Sequence, residues 1–167
     1  MATREQRMRV AGTSRSPQLR YIRTLDCDAD RLWSLVTKPE FLSQWLGATI
    51  MSDTQYGGFT VSTGVNALEP GRHVEQQTGM VMTCVPPHYF QATWDAPPHQ
   101  PSTVLVDVVP GARDAHLILT HGGLPQDLVE SYDMFWTTAL NRLHQFIAGR
   151  LQARPARWQI PYSAGGA

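Results

Sequence analysis

Alternating apolar and polar residues predict an antiparallel sheet over most of the chain. The first alternation, from Leu19 to Leu25, is typical of a half-buried strand. Further alternating segments follow after about residue 48, and turn residues separate them roughly every 10 positions, a spacing that favours antiparallel meanders. The later predicted strands run from Thr49 to Ser52, Phe59 to Thr63, His73 to Gln77, Met80 to Cys84, Tyr89 to Asp95, Thr103 to Val109 and Ala115 to His121.

Two short helices are predicted back to back between the first strand and the later ones. Asp28 is placed to cap the first helix, since a side-chain oxygen there accepts from a free backbone N–H. Thr37-Lys38-Pro39-Glu40 has the spacing of a capping box, and Pro39 suits a first helical turn. The second helix is expected to run from about Pro39 to Trp45 and to end at Gly47.

A long amphipathic helix is predicted from Pro125 to about Leu151. Its apolar residues recur at helical spacing, so one face must be buried. The resulting order predicts an α+β fold, in which a curved antiparallel sheet of six to seven strands surrounds a long C-terminal helix. We expect a disordered basic tail over residues 1–17, one domain over 18–151 and a flexible tail over 152–167.

Composition narrows the classes of partner and compartment. The 14 basic and 14 acidic residues give a formal net charge of zero, which argues against a nucleic-acid partner. No apolar run approaches a membrane span, and no signal-peptide core is present. The two cysteines form no disulfide framework, so we expect a cytoplasmic protein with reduced thiols. The sequence leaves monomer and homodimer open.

Several motifs, in order and with matching spacing from about Leu19 to Arg150, resemble one known family. They are Leu32-Trp33, Thr37-Lys38-Pro39-Glu40 and Gln44-Trp45-Leu46-Gly47 in the helix pair, then Tyr56-Gly57-Gly58-Phe59, Gly79-Met80-Val81, Val85-Pro86-Pro87, Thr93-Trp94 and Leu117 to Leu124. The chain resembles the activator-of-heat-shock-protein-ATPase-like branch of the START-like (SRPBCC) superfamily. The resemblance implies a helix-grip fold with a hydrophobic cavity, whose relatives bind lipids, polyketides or plant hormones and in a few cases act as cyclases or dehydratases.

The predicted cavity lies between the sheet and the terminal helix. Its expected ligand-binding residues are Phe59, Phe90, Ala92, Trp94, His121, Tyr132, Phe135, Trp136 and Leu140. Two of them depart from the family pattern: Phe135 stands where the family usually has glycine, and Ala92 stands where a larger apolar residue is common. We hypothesise that these two changes offset each other in cavity volume.

His121 and Tyr132 are the candidates for acid–base chemistry. His121 shares a strand face with Leu117 and Leu119, which must point inward, so it is expected to face the cavity near its mouth. The alternative is a structural role, in which His121 bonds neighbouring backbone or the start of the terminal helix. Tyr132 either fixes the polar end of a ligand or reaches solvent at the rim. No metal-ligand spacing and no cofactor motif is present, so neither group is expected.

Three functions are compatible with these residues. The first is a carrier, sensor or sequestering protein for a small hydrophobic molecule of polyketide, lipid or aromatic type. The second is a cofactor-independent tailoring enzyme of cyclase or dehydratase type that uses the same pocket. The third is a co-chaperone-like interaction module, which the low charged fraction of 17% makes less favoured because a docking face of that kind is expected to be strongly charged.

Overall fold

Seven antiparallel strands and three α-helices form the described part of the chain. The computed structural model describes residues 16–47, 49–53, 57–63 and 75–149. Apart from Ser16 and Pro17, the two predicted tails lie outside these residues. The strands are β1 (Gln18–Leu25), β2 (Thr49–Asp53), β3 (Gly58–Thr63), β4 (Glu75–Val85), β5 (Tyr89–Trp94), β6 (Ser102–Pro110) and β7 (Ala115–Gly122).

The strands form one sheet in the order β1-β7-β6-β5-β4-β3-β2. Neighbours in sequence from β2 to β7 are neighbours in the sheet, as in a meander, and β1 adds to the free side of β7. The central strands bury every second residue: β6 buries Val104, Val106 and Val108, while β7 buries Leu117 and Leu119 opposite them. This alternation gives the sheet one apolar face, which the helices cover.

One predicted break in the sheet is wrong. The two strands expected from His73 to Gln77 and from Met80 to Cys84 are a single strand, β4, which continues through Thr78 and Gly79. Gly79 pairs with Phe59 across β3 and β4, where the Phe59 ring and the backbone oxygen of Thr93 in β5 leave no room for a side chain. A glycine inside a strand pattern here marks a close approach.

The two short helices are α1 (Ala29–Thr37) and α2 (Pro39–Trp45). The predicted cap is confirmed, because the Asp28 carboxylate accepts from the backbone N–H of Arg31 at 2.7 Å. The predicted capping box is wrong: Thr37 belongs to the end of α1, where its hydroxyl donates to the Trp33 carbonyl. The N-cap of α2 is Lys38, followed by Pro39 in the first turn.

The terminal helix is shorter than predicted. A 3-10 turn (Gln126–Leu128) leads into α3 (Val129–Ile147), and Gly149 adopts a positive φ of 67° just beyond it. The helix packs against β1 and α2, and α1 packs against β6 and β7. The helix-grip architecture predicted from the sequence is therefore confirmed. None of the helices in the described ranges combines the length and apolar character needed to cross a bilayer.

Candidate functional site: an apolar cavity and the polar groups behind it

A cavity of about 300 Å³ lies between the apolar face of the sheet and the helix pair. Strands β3 to β7 supply one side, α1 and α2 supply the other, and among the described lining residues α3 contributes Trp136 alone. The wall consists of Val36, Thr37, Pro39, Leu42, Trp45, Leu46, Gly57, Gly58, Phe59, Val61, Val81, Cys84, Phe90, Ala92, Trp94, Val104, Val106, Leu117, Leu119 and Trp136.

One end of the cavity is aromatic. Trp94 is its centre, with ring centroids 6.0 Å from Phe59, 5.6 Å from Trp136 and 6.3 Å from Phe135. These four rings are called the aromatic corner below. The rings meet tilted or edge to face, as aromatic pairs prefer. Phe135 packs on Trp136 at 5.0 Å but is not part of the cavity wall, so its ring takes no volume from the cavity.

Each tryptophan in the wall directs its indole N–H away from the cavity. Trp45 donates to the Leu35 carbonyl at 2.8 Å, and Trp94 donates to the side-chain oxygen of Gln77. Trp136 donates to Nδ1 of His121 at 3.0 Å. The three rings therefore present carbon surface to the cavity while their donors are satisfied elsewhere.

Few polar side-chain groups remain on the wall within the described residues. The Thr37 hydroxyl already donates to the Trp33 carbonyl at 2.6 Å. The Cys84 thiol is exposed and free. The wall thus recognises shape and carbon surface much more than it recognises hydrogen-bonding groups.

His121 lies behind the wall and is fully buried, with no exposed surface. An indole N–H can only donate, so His121 Nδ1 must be the acceptor and Nε2 must carry the proton. Nε2 then donates to the Ser102 hydroxyl at 2.8 Å, and that hydroxyl donates to the Trp94 carbonyl at 2.9 Å. These four residues, called the indole relay below, connect two tryptophans of the cavity wall through fixed donors and acceptors.

The buried position of His121 disfavours its charged form. Burial lowers the pKa of its imidazole from the usual 6.5 to about 4. The geometry acts in the same direction, because a proton on Nδ1 would face the indole N–H of Trp136, donor against donor. His121 is therefore neutral near pH 7.

Comparison with known proteins assigns the family. The family model described as "Activator of Hsp90 ATPase homolog 1-like protein" matches residues 26–148. The chain belongs to this family. The match includes both short helices, β2 to β7 and all of α3, and these elements contain every described residue range that surrounds the cavity except the short connections between them. No curated protein sequence matches the chain.

Solved structures agree on the fold. CalU16 from Micromonospora echinospora is 19% identical in its crystal structure, with a TM-score of 0.67 over 89% of this chain and 87% of that one. Protein CV1439 from Chromobacterium violaceum is 18% identical, with a TM-score of 0.67 over 77% and 96%. DynU16, described as a protein in the dynemicin biosynthetic locus, is 18% identical, with a TM-score of 0.58 over 82% and 49%. At these identities the likeness establishes the shared fold.

The residues expected from the sequence to bind a ligand divide into two groups in this family member. Five of them are in the cavity wall: Phe59, Phe90, Ala92, Trp94 and Trp136. The other four, which are His121, Tyr132, Phe135 and Leu140, are outside it.

Tyr132 and Leu140 lie on the buried face of α3. The Tyr132 ring contacts the imidazole of His121 at 4.6 Å between centroids, and its hydroxyl donates to the Gln77 side-chain oxygen at 3.4 Å. Leu140 belongs to the hydrophobic core. Tyr132 therefore lies behind the wall with His121.

Sequence reasoning missed two contributions to this region. Ser102, the first residue of β6, lay outside the predicted strand and was not a candidate, yet its hydroxyl bridges His121 and Trp94. No residue of the helix pair was among the expected ligand-binding residues, whereas Val36, Leu42 and Trp45 form part of the wall. The apolar spacing of these helix residues was visible in the sequence, but the surface they would cover was not.

Proposed function

We propose that this protein binds a small, uncharged hydrophobic molecule of polyketide, lipid or aromatic type in the cavity, as a carrier, sensor or sequestering protein. The observation that carries the proposal is the wall itself, in which the indole N–H groups of three tryptophans are engaged elsewhere. A charged ligand would lose its hydration there without gaining a partner among the described side chains. A volume of about 300 Å³ is at the small end of ligand sites, which favours a compact molecule.

A biosynthetic tailoring activity is the second candidate. DynU16, which has the same fold, is described as belonging to a biosynthetic locus, and this favours a role close to small-molecule synthesis. Acid–base catalysis would need titratable groups that converge on the ligand. His121 has both nitrogens engaged behind the wall, so binding without turnover is the better supported of the two. The co-chaperone interpretation stays a prediction.

The cytoplasmic location expected from the sequence also stays a proposal. It is supported by the two free thiols, Cys27 in the core and Cys84 at the cavity, since reducing compartments preserve free cysteines.

Binding of N-phenyl-1-naphthylamine, an uncharged aromatic fluorophore, tests the proposed function. We expect saturable binding with quenching of tryptophan fluorescence. Ala92→Leu would place three extra carbons into the cavity from a residue that is only 1% exposed, and we expect at least about tenfold weaker binding. Ala112→Leu, an exposed position outside the wall, is the matched control. Absence of saturable binding, or equal affinity in Ala92→Leu and the control, would contradict the proposal.

A further inference from the structure

The indole relay fixes the orientation of Trp136, which in the described structure is the one side chain of α3 that reaches the cavity. Trp136 is 3% exposed, and its ring is in the wall while its N–H bonds His121 behind the wall. Ser102 holds the imidazole in turn, through a bond of 2.8 Å to Nε2. The orientation of a wall residue is thus set by two residues that do not touch the cavity.

We propose that His121 is a positioning residue, whose imidazole holds the Trp136 indole in the orientation that makes it part of the ligand-binding wall. Its effect on a ligand rests on the proposed function, whereas the hydrogen bond that orients Trp136 does not. The reason is donor satisfaction. A buried indole N–H that loses its acceptor must remain unpaired or turn toward another partner, and turning moves the ring out of the wall.

Protonation of His121 itself is the event that breaks the indole relay in acid, because none of the described groups that face it ionises there. Leu19 of β1 and Val104 of β6 pair with it in the sheet, and the rings of Trp94, Tyr132 and Trp136 surround it. Tyr132 is the titratable group in this set, and its phenol is neutral in acid. Burial lowers the pKa of His121, and among the described residues no charged side chain contributes to that shift. Acid therefore removes the acceptor at Nδ1 without a competing ionisation in this set.

Paired variants test the positioning role by ligand affinity. His121→Gln keeps one acceptor and one donor on a planar group, whereas His121→Leu keeps neither. With N-phenyl-1-naphthylamine as probe, we expect about tenfold weaker binding in His121→Leu and recovery to within about threefold of the unmodified protein in His121→Gln. Trp136→Phe removes the N–H, so adding His121→Leu to Trp136→Phe should change affinity less than about twofold.

Two outcomes of these affinity measurements would overturn the inference. An equal loss of affinity from His121→Leu with and without Trp136→Phe would show that His121 acts independently of Trp136. Unchanged affinity in His121→Leu would also overturn it. If the unmodified protein does not bind the probe, the proposed function fails, and the orienting hydrogen bond is judged by the next measurement.

The indole N–H resonance of Trp136 tests the relay in the unmodified protein and without ligand. It is identified in ¹H–¹⁵N spectra of the full chain by its absence in Trp136→Phe. We expect it to shift with an apparent midpoint near the His121 value of about 4, while the Trp45 indole, bonded to a backbone carbonyl, stays fixed. A Trp136 resonance that does not move as His121 titrates would overturn the inference.

Discussion

The ring of Phe59 occupies the space that a β-carbon on Gly79 would need. The two residues pair across β3 and β4, and a β-carbon on Gly79 would lie 2.2 Å from Cζ of Phe59. It would also lie 2.2 Å from the backbone oxygen of Thr93. The absence of a side chain at Gly79 therefore lets Phe59 reach Trp94 and complete the aromatic corner.

We predict that Gly79→Ala lowers the free energy of unfolding by about 1–3 kcal/mol or more, because backbone at Thr93 cannot yield as a side chain can. Urea denaturation measures the change. Gly58→Ala, on the neighbouring strand, is the control, since a β-carbon there would meet its nearest atom, the Gly79 oxygen, at 3.9 Å. Equal stability of the two variants would contradict the steric explanation.

Stability should fall in acid because of His121. Its pKa is lowered to about 4 in the folded state and is near 6.5 when unfolded, so the unfolded chain binds more protons between these values. The contribution of neutral His121 is present above about pH 6.5 and is lost progressively toward pH 4. The difference in pKa corresponds to roughly 3 kcal/mol.

Denaturation at a series of pH values in the unmodified protein and in His121→Gln isolates this contribution. Glutamine does not titrate, so the variant should lose less stability than the unmodified protein between pH 6.5 and 4. The other histidines are common to both proteins and cancel in the comparison. The same acid dependence in both would show that His121 does not cause it.

Cys84 should report whether the cavity is occupied. Its thiol is free and exposed in the wall, so alkylation by a maleimide should slow severalfold when N-phenyl-1-naphthylamine saturates the protein. Cys27 is buried, and burial raises the pKa of its thiol, so Cys84→Ser should react slowly with or without the probe. An unchanged rate at Cys84 under saturation would place the bound probe elsewhere.

The cap of α1 should make a measurable contribution to stability. Asp28→Ala removes the acceptor for the Arg31 N–H and should cost about 1 kcal/mol. Asp28→Asn keeps a side-chain oxygen and should recover most of that loss. Asp30→Ala, at the second residue of the helix, removes a negative charge near the N-terminus without removing the cap bond, and it serves as the comparison. Equal effects of Asp28→Ala and Asp30→Ala in thermal denaturation would contradict the capping role.

The parts of the fold that depend on local pattern could be predicted from the sequence. Alternation placed β6 and β7, and the cap at Asp28 followed from residue type and position. Predictions failed where the same residue type suits two different local structures. The strand was predicted to break between Gln77 and Met80 because the close packing of Gly79 against Phe59 depends on tertiary structure, and Thr37 had the right spacing for a capping box but belongs to the end of α1.

The candidate site was harder to predict because it depends on how α3 crosses the sheet. Tyr132 and Trp136 are one turn apart on the buried face of α3, so the sequence pattern does not distinguish which of them reaches the cavity. The helix packs against β1 and α2, and in the described residues Trp136 alone extends from it to the cavity. For the same reason His121, correctly placed on the inward face of β7, is covered by Tyr132 and Trp136.

The separation between the wall and the relay has a consequence for how this scaffold can change. Ala92, Val61 and Val104 contribute little to the wall except volume, whereas the polar bonds that orient its rings are made one layer deeper. Ligand preference can therefore drift through exchanges of small and large apolar residues while the orienting bonds stay intact. A library of variants at these three positions would change which ligands bind while the hydrogen bonds that orient the rings stay the same.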